Sequence, residues 1–271
     1  EGIAVAARGD RVLYSRVEHV RLGRFGQYAF WLNELELEGT SCCPHWYALT
    51  AGAEPATPTP PDSFTVGPTA IFQAGDGPLS ATDPSITGNG LRAFEIAAPA
   101  SCFGSYLCAT WSVALDGTAA TRPVLADGEA AVYVGTDAGT VYAIDTASED
   151  VLWSASVGSA VVDSPALADG SLFVPTSSGG LVVLDAATGA PAWSAGAGTA
   201  VSQPAVAGGV VFAASAGGTL SAYDAAGCGA ATCPPLWSTD VGAEVTGGPS
   251  VDGGQVYVGT ADARLAAYRL G

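Results

Sequence analysis

The sequence contains no methionine and no lysine, two histidines, and nine basic residues, all of them arginine, against 26 acidic ones. The resulting net charge of −17 excludes nucleic acid and anionic membrane surfaces as partners, because both repel such a chain. An acidic shell of this kind ordinarily keeps an exported protein in solution. The two histidines, His19 and His45, are not spaced as a pair with any cysteine pair, so zinc lacks its ligands. No apolar run approaches the roughly 18 residues that cross a bilayer, which argues against membrane insertion. The N-terminus shows neither leader nor anchor, so export implies a leader already removed. No segment holds a 3.6-residue apolar period over a helix length, which excludes helical and leucine-rich repeats.

Motifs of catalysis are missing as well. There is no Gly-x-Ser-x-Gly elbow for a serine nucleophile, no His-Glu-x-x-His for a metalloprotease, and no glycine-rich loop opening a helix to cradle phosphate. Glu34, Glu36 and Glu38 alternate with Leu35 and Leu37, which on a strand is a solvated face opposite an apolar one. Asp76 and Asp83 stand seven apart in a Gly/Asp/Pro/Ser stretch, 74–90, with no closing glutamate, unlike a dedicated Ca²⁺ loop. The expectation is therefore no catalytic, cofactor-binding or metal-binding residue, and not an enzyme.

What the chain does have is turns and a repeat. With 36 Gly, 17 Pro, 48% hydrophobic and 13% charged residues, it reads as a compact all-β protein. The same sentence recurs at 123–153, 165–193 and 204–237: two short β-branched strands separated by a Ser/Gly turn, then an aspartate-led turn and a tryptophan-bearing strand; a fourth copy at 249–271 stops before its tryptophan. Trp111, Trp153, Trp193 and Trp237 stand 42, 40 and 44 residues apart. A period near forty in that order is one four-stranded blade of a β-propeller. Asp145, Asp185 and Asp224 sit where a turn needs a side chain to hydrogen-bond its own backbone.

The string Val-Tyr-Val-Gly-Thr, a Gly-led second strand Val-Tyr-Ala-x-Asp, then x-x-Thr-Gly and Trp resembles the quinoprotein-type repeat of pyrroloquinoline-quinone (PQQ) dehydrogenases and of propellers that have lost the cofactor. The likeness covers 111–271 well and the first 110 residues loosely. It implies a β-propeller in which the tryptophan of each blade packs against its neighbour and the Asp-x-x-Thr-Gly turn joins the third and fourth strands. Relatives by this resemblance, the periplasmic scaffold propeller of outer-membrane protein assembly and the sensor propellers of bacterial kinases, use the repeat without catalysis.

Counting Trp46, Trp111, Trp153, Trp193 and Trp237 as interblade fillers gives a single domain of six blades, about 1–50, 63–115, 116–157, 158–197, 198–241 and 242–271, the last incomplete. In the first blade, strands are expected at 2–9, 11–17 and 27–37, with an Arg-rich turn at 18–26. Residues 53–62, Pro- and Thr-rich, form a surface crossover. In the second blade the stretch 74–90 reads as a loop between strands at 69–73 and 91–96.

The six cysteines fall at one phase of the repeat. Cys102/Cys108 and Cys228/Cys233 read as disulfides that close hairpin tips between third and fourth strands. Loops so short stabilise by only about 2–3 kcal/mol, so they pin a tip rather than hold a domain. Disulfides imply an oxidising compartment, hence an extracellular or cell-envelope location. Cys42 and Cys43, just before Trp46, read as a third tip closed by a vicinal disulfide; free thiols or an interchain bridge compete. PQQ dehydrogenases also carry a vicinal disulfide against the quinone, but they have eight blades and an acidic and amide Ca²⁺ ligand set with no counterpart here.

Arg8, Arg11, Arg16, Arg21 and Arg24 give the first 24 residues a charge of +2, so the remainder carries −19. They are ordinary edge and loop charge or a candidate contact surface for something acidic. The functional expectation is an exported, cofactor-free propeller that binds proteins or assembles with copies of itself. The alternative is a degenerate PQQ-dependent enzyme, a channel-based hydrolase or a ligand-sensing domain. The last blade is expected to end on a third strand whose open edge recruits a strand from outside.

Overall fold

The structure, a computed structural model, describes residues 111–269 apart from 119–120, 127, 129, 179 and 197–201. In the first 110 residues it describes the backbone of nine strands and the side chains of 65, 70, 72, 74, 75 and 89–93. Among the described residues the elements are twenty-five strands, arranged in six sheets. Among the described residues no helix is long and apolar enough to cross a membrane. The chain divides into two compact units, Glu1–Glu129 and Ala130–Gly271.

In the first unit, β1 (Val5–Arg8), β2 (Arg11–Leu22), β3 (Phe25–Glu36) and β4 (Trp46–Thr50) pair in chain order, all antiparallel. A second sheet follows the order β10 (Trp111–Ala114), β7 (Thr87–Glu95), β6 (Ala70–Pro78), β5 (Phe64–Val66). Two short strands, β8 (Ser101–Cys102) and β9 (Tyr106–Leu107), form a hairpin whose β9 lies parallel to β4, with Ala48 opposite Leu107. The unit ends after β11 (Val124–Leu125). Phe72, Leu91 and Ala93 are buried, and Phe72 meets Trp111 at a centroid distance of 6.0 Å.

Two hairpins of this unit, β2/β3 and β6/β7, are longer than the sequence reading allowed. The β2/β3 register runs without a break from Arg11 opposite Glu36 to Leu22 opposite Phe25, so most of 18–26 is strand rather than an Arg-rich turn. Val17 pairs with Phe30, His19 with Tyr28 and Val20 with Gln27. β-branched and aromatic residues of that kind favour pairing, and arginine is tolerated beside them. Likewise β6 and β7 stay paired out to Pro78 opposite Thr87, so the expected loop at 74–90 shrinks at both ends. Gly75 opposite Gly90 and Asp76 opposite Asn89 are turn-type residues held in a ladder, where backbone pairing overrides composition.

The second unit opens with β12 (Ala131–Gly135), β13 (Thr140–Asp145) and β14 (Val151–Ser156). A four-stranded sheet follows, β15 (Ala166–Ala168), β16 (Ser171–Pro175), β17 (Gly180–Asp185) and β18 (Pro191–Gly196). Another consists of β19 (Ala205–Ala207), β20 (Val210–Ala214), β21 (Thr219–Asp224) and β22 (Trp237–Asp240). The last has three strands, β23 (Ser250–Asp252), β24 (Gln255–Gly259) and β25 (Leu265–Arg269). All neighbours within these sheets are antiparallel.

The second strands of the repeats, with the third strands β13, β17 and β21, supply the core. β12, β16 and β20 are almost wholly buried, because their neighbours within the sheet and the adjoining sheets cover both faces. Phe173, Leu181, Val183 and Trp193 of one sheet pack with Val211, Ala213 and Tyr223 of the next. The register shifts between Ala143 and Ile144 and again between Val183 and Leu184. This repeated bulge places an extra residue, Leu152 or Ala192, in the fourth strand opposite the end of the third.

Candidate functional site

The third strands β13, β17 and β21 each run into an aspartate that organises the following turn. Asp185 Oδ1 accepts the amides of Ala187 and Thr188, at 3.1 and 2.9 Å, and the Thr188 hydroxyl at 2.7 Å. The Thr188 hydroxyl, then the two amides, hold its carboxyl below the ordinary carboxylate range. Asp145 accepts the amides of Ser148 and Ala147, at 2.7 and 2.9 Å, which lower its carboxyl in the same way, Ser148 most. Asp224 accepts the Ala226 amide at 2.9 Å. These carboxylates are used up in building turns.

The turns roof the tryptophans of the preceding sheets. Trp153 Nε1 donates to the Ala186 carbonyl at 3.1 Å, and the Tyr133 hydroxyl donates to the same oxygen at 3.1 Å. Trp193 Nε1 donates to the Ala225 carbonyl at 3.4 Å. Gly189 and Gly227 lie against these two indoles with φ of +71° and +83°. Glycine is needed there for space and for the left-handed backbone together. Trp193 is 6% exposed. Trp237, expected to be buried in the same manner, is 40% exposed. It meets Tyr268 edge-on at 5.7 Å, but among the described residues no aspartate turn covers its ring.

A disulfide joins Cys228 to Cys233 in the turn between β21 and β22. Its tip does more than close a hairpin. The Ser194 amide donates to the Ala231 carbonyl at 2.8 Å, and the Cys233 amide donates to the Ser194 carbonyl at 2.8 Å. Thr232 is thereby bridged to Ser194 in parallel, so the tip adds a strand to the outer edge of β18, in the preceding sheet. In the first unit β9, which ends one residue before Cys108, stands in the same parallel relation to β4. The repeated Trp-Ser step at 111–112, 153–154, 193–194 and 237–238 marks the edge position involved, but only the structure shows what it pairs with.

Among the described residues, no strand pairs with the outer edges of β14 and β25. The exposed large hydrophobic residues among those described are Val151 and Leu152 on β14, Leu236 and Trp237 at the start of β22, and Leu265 on β25. Leu265 faces Gly259 in the register that places Val141 opposite Gly135, Leu181 opposite Pro175 and Leu220 opposite Ala214. Those three are 0% exposed, whereas Leu265 is 71% exposed. A position that is core in three sheets is surface in the fourth.

Near the inner strands, a cleft of about 440 Å³ opens between β19 and β23, lined by Gln203, Pro204, Gly248, Pro249 and small neighbours. No acid or base lines it, and among the described residues no group of His, Cys, Asp and Glu could hold a metal ion. Arg8 lies on β1 and Arg11, Arg16 and Arg21 on β2, but their side chains, like that of Trp46, lie outside the described residues. So do Arg24, Cys42, Cys43, Asp83 and Cys108, and the side chains of Cys102 and Asp76.

In the second unit, antiparallel sheets of three or four strands, with the tryptophan of one roofed by the aspartate-led turn of the next, define a β-propeller protein built on the PQQ-like repeat. The chain belongs to the family described as outer membrane protein assembly factor BamB, whose model matches residues 109–227 and 197–270, more than half of its length. No curated protein sequence matches it. Among solved structures it is similar to BamB from Moraxella catarrhalis, at 18% identity and a TM-score of 0.58, over 77% of this chain and 57% of that one. The chain thus spans little more than half of that relative. It is also similar to two computationally designed proteins. Ika8 matches at 12% identity and a TM-score of 0.66, over 98% of this chain and 70% of that one. Ika4 matches at 19% and 0.51, over 58% and 94%. At these identities the likeness is one of fold.

Proposed function

We propose that this chain is an exported, non-catalytic scaffold of the cell envelope that holds protein chains, copies of itself among them, by strand addition at the outer edges of its sheets. The family's name, taken from outer membrane protein assembly, and a disulfide suited to an oxidising compartment support the reading.

The observation that carries it is Leu265, 71% exposed at a repeat position that is fully buried in three sister sheets. The edge of β25 offers unpaired backbone groups next to that side chain, and such edges recruit strands. Ala263 indicates the kind of strand. Beside β13 and β21 the corresponding residues are Gly139 and Gly218, where a Cβ would stand 2.7 and 2.6 Å from the carbonyl oxygens of Ser159 and Ala243, in the chain leaving the fourth strand. The methyl of Ala263, at φ +62°, fills that path. A strand on β25 therefore departs from the sheet by another route than the fourth strands of the sister repeats do, and a strand donated by a second copy is free to take it.

Light scattering across a concentration series tests the idea. Ala267 corresponds in register to Val183, whose amide faces the fourth strand, so Ala267→Pro removes an outward amide while sparing the ladder to β24. The wild type should associate and Ala267→Pro should remain monomeric. A wild type monomeric at every concentration would remove self-assembly from the reading. Tight binding of PQQ with Ca²⁺ and dye-linked alcohol oxidation would overturn the non-catalytic assignment.

A further inference from the structure

The disulfide tip shows how an outer edge of this fold accepts a parallel strand, and the equivalent edge stands open one sheet earlier. Ser154 lies opposite Tyr142 as Ser194 lies opposite Val182, and both follow a tryptophan and the same register shift. The Ser154 amide and carbonyl therefore point outward as those of Ser194 do. On β18 these groups are bonded to Cys233 and Ala231. On β14 the following turn, 185–190, is too short to reach over the edge, and Val151 and Leu152 are 44% and 53% exposed. Asp145, Glu149 and Asp150 stand at the N-terminal end of β14.

We propose that the outer edge of β14 binds, in parallel, an extended segment of a partner protein that is apolar and preceded by basic residues. Two apolar residues would cover Val151 and Leu152, and a small residue followed by threonine would lie beside Trp153 and Ser154, as Ala231 and Thr232 lie beside Trp193 and Ser194. Because the pairing is parallel, the basic residues fall next to Glu149 and Asp150. A second copy of this chain is the poorer occupant of this edge, because its tip is already engaged on its own β18. The inference rests on the scaffold reading above and supplies the chemistry of its partner.

The test is fluorescence anisotropy of the full chain with a labelled peptide, Lys-Arg-Val-Leu-Ala-Thr-Val. Saturable binding that weakens with added salt is expected. Ser154→Pro, which removes the outward amide but no bond to β13, should weaken it about tenfold, the worth of one lost hydrogen bond. Leu152→Asp should weaken it too and serves should Ser154→Pro fail to fold, as judged by tryptophan fluorescence. A peptide with two glutamates in place of Lys-Arg should bind worse, and Ala267→Pro should bind like the wild type. Absence of binding, or equal binding by the wild type, Ser154→Pro and Leu152→Asp, overturns the proposal. Lost peptide binding with self-association intact refutes the β14 site alone; peptide binding by a strictly monomeric chain refutes the β25 interface alone.

Discussion

Gly189 lies against the indole of Trp153 so closely that a Cβ in its place would stand 2.6 Å from ring atom Cε3. Gly189→Ala should therefore destabilise twice over, by about 1–2 kcal/mol for a side chain at positive φ and about 1–3 kcal/mol for overpacking. Urea denaturation should show a lower midpoint with an unchanged slope.

The two tryptophans Trp193 and Trp237 carry the same sequence signature and should behave differently. Trp193→Ala should cost about 3–5 kcal/mol, as removal of a buried aromatic does. Trp237→Ala should cost clearly less, since that ring is 40% exposed. Equal losses in denaturant midpoint would mean that Trp237 is covered in solution.

Replacing Cys228 and Cys233 together by serine should lower stability by about 2 kcal/mol, the chain-entropy value for so short a loop. Its sharper effect should be local. Hydrogen exchange at the Ser194 and Cys233 amides, which close the parallel bridge, should accelerate more than exchange in β16 and β17.

Acid should loosen the aspartate turns. The Asp145 and Asp185 carboxyls are held below their ordinary range in the folded chain by the hydrogen bonds they accept, so their contribution is present above the unfolded carboxylate value and is lost as pH falls through the folded one. Thermal melting followed downward through that window should show a declining Tm. Asp185→Asn, whose amide oxygen accepts the same bonds without titrating, should flatten part of the decline.

Ala263 occupies a left-handed backbone position that is glycine in two sister turns. Ala263→Gly should raise stability by about 1 kcal/mol, through relief of that conformation. A lower Tm would show that the alanine is favoured by a contact its glycine counterparts lack.

The repeat was legible because each of its marker residues answers a local demand. Asp185 must accept from its own turn, Gly189 must take positive φ beneath an indole, and Trp153 must fill the space behind it, so all three recur at one phase. Strand lengths were less legible. Residues 18–22 and 74–78 carry arginine, glycine and aspartate that compose turns elsewhere, and only the partner strand across the hairpin decides that they pair. The role of the disulfide tip was hidden because Ser194 and Thr232 lie 38 residues apart and parallel pairing leaves no alternation to read. The exposure of Trp237 is illegible for a related reason: it depends on the neighbouring turn and not on the residue itself.

The tip on β18 has a consequence for competition. Closed by its disulfide and tethered to the adjoining strand, the segment around Thr232 confronts Ser194 at an effective concentration that short tethers place in the millimolar range. A free segment of the same affinity, present at micromolar levels, is displaced almost entirely by this resident competitor, whereas at β14 it meets no rival. Two edges of nearly identical chemistry thus differ in their threshold for occupancy, and reduction of one sulfur–sulfur bond, by diluting the competitor, would bring the two thresholds together.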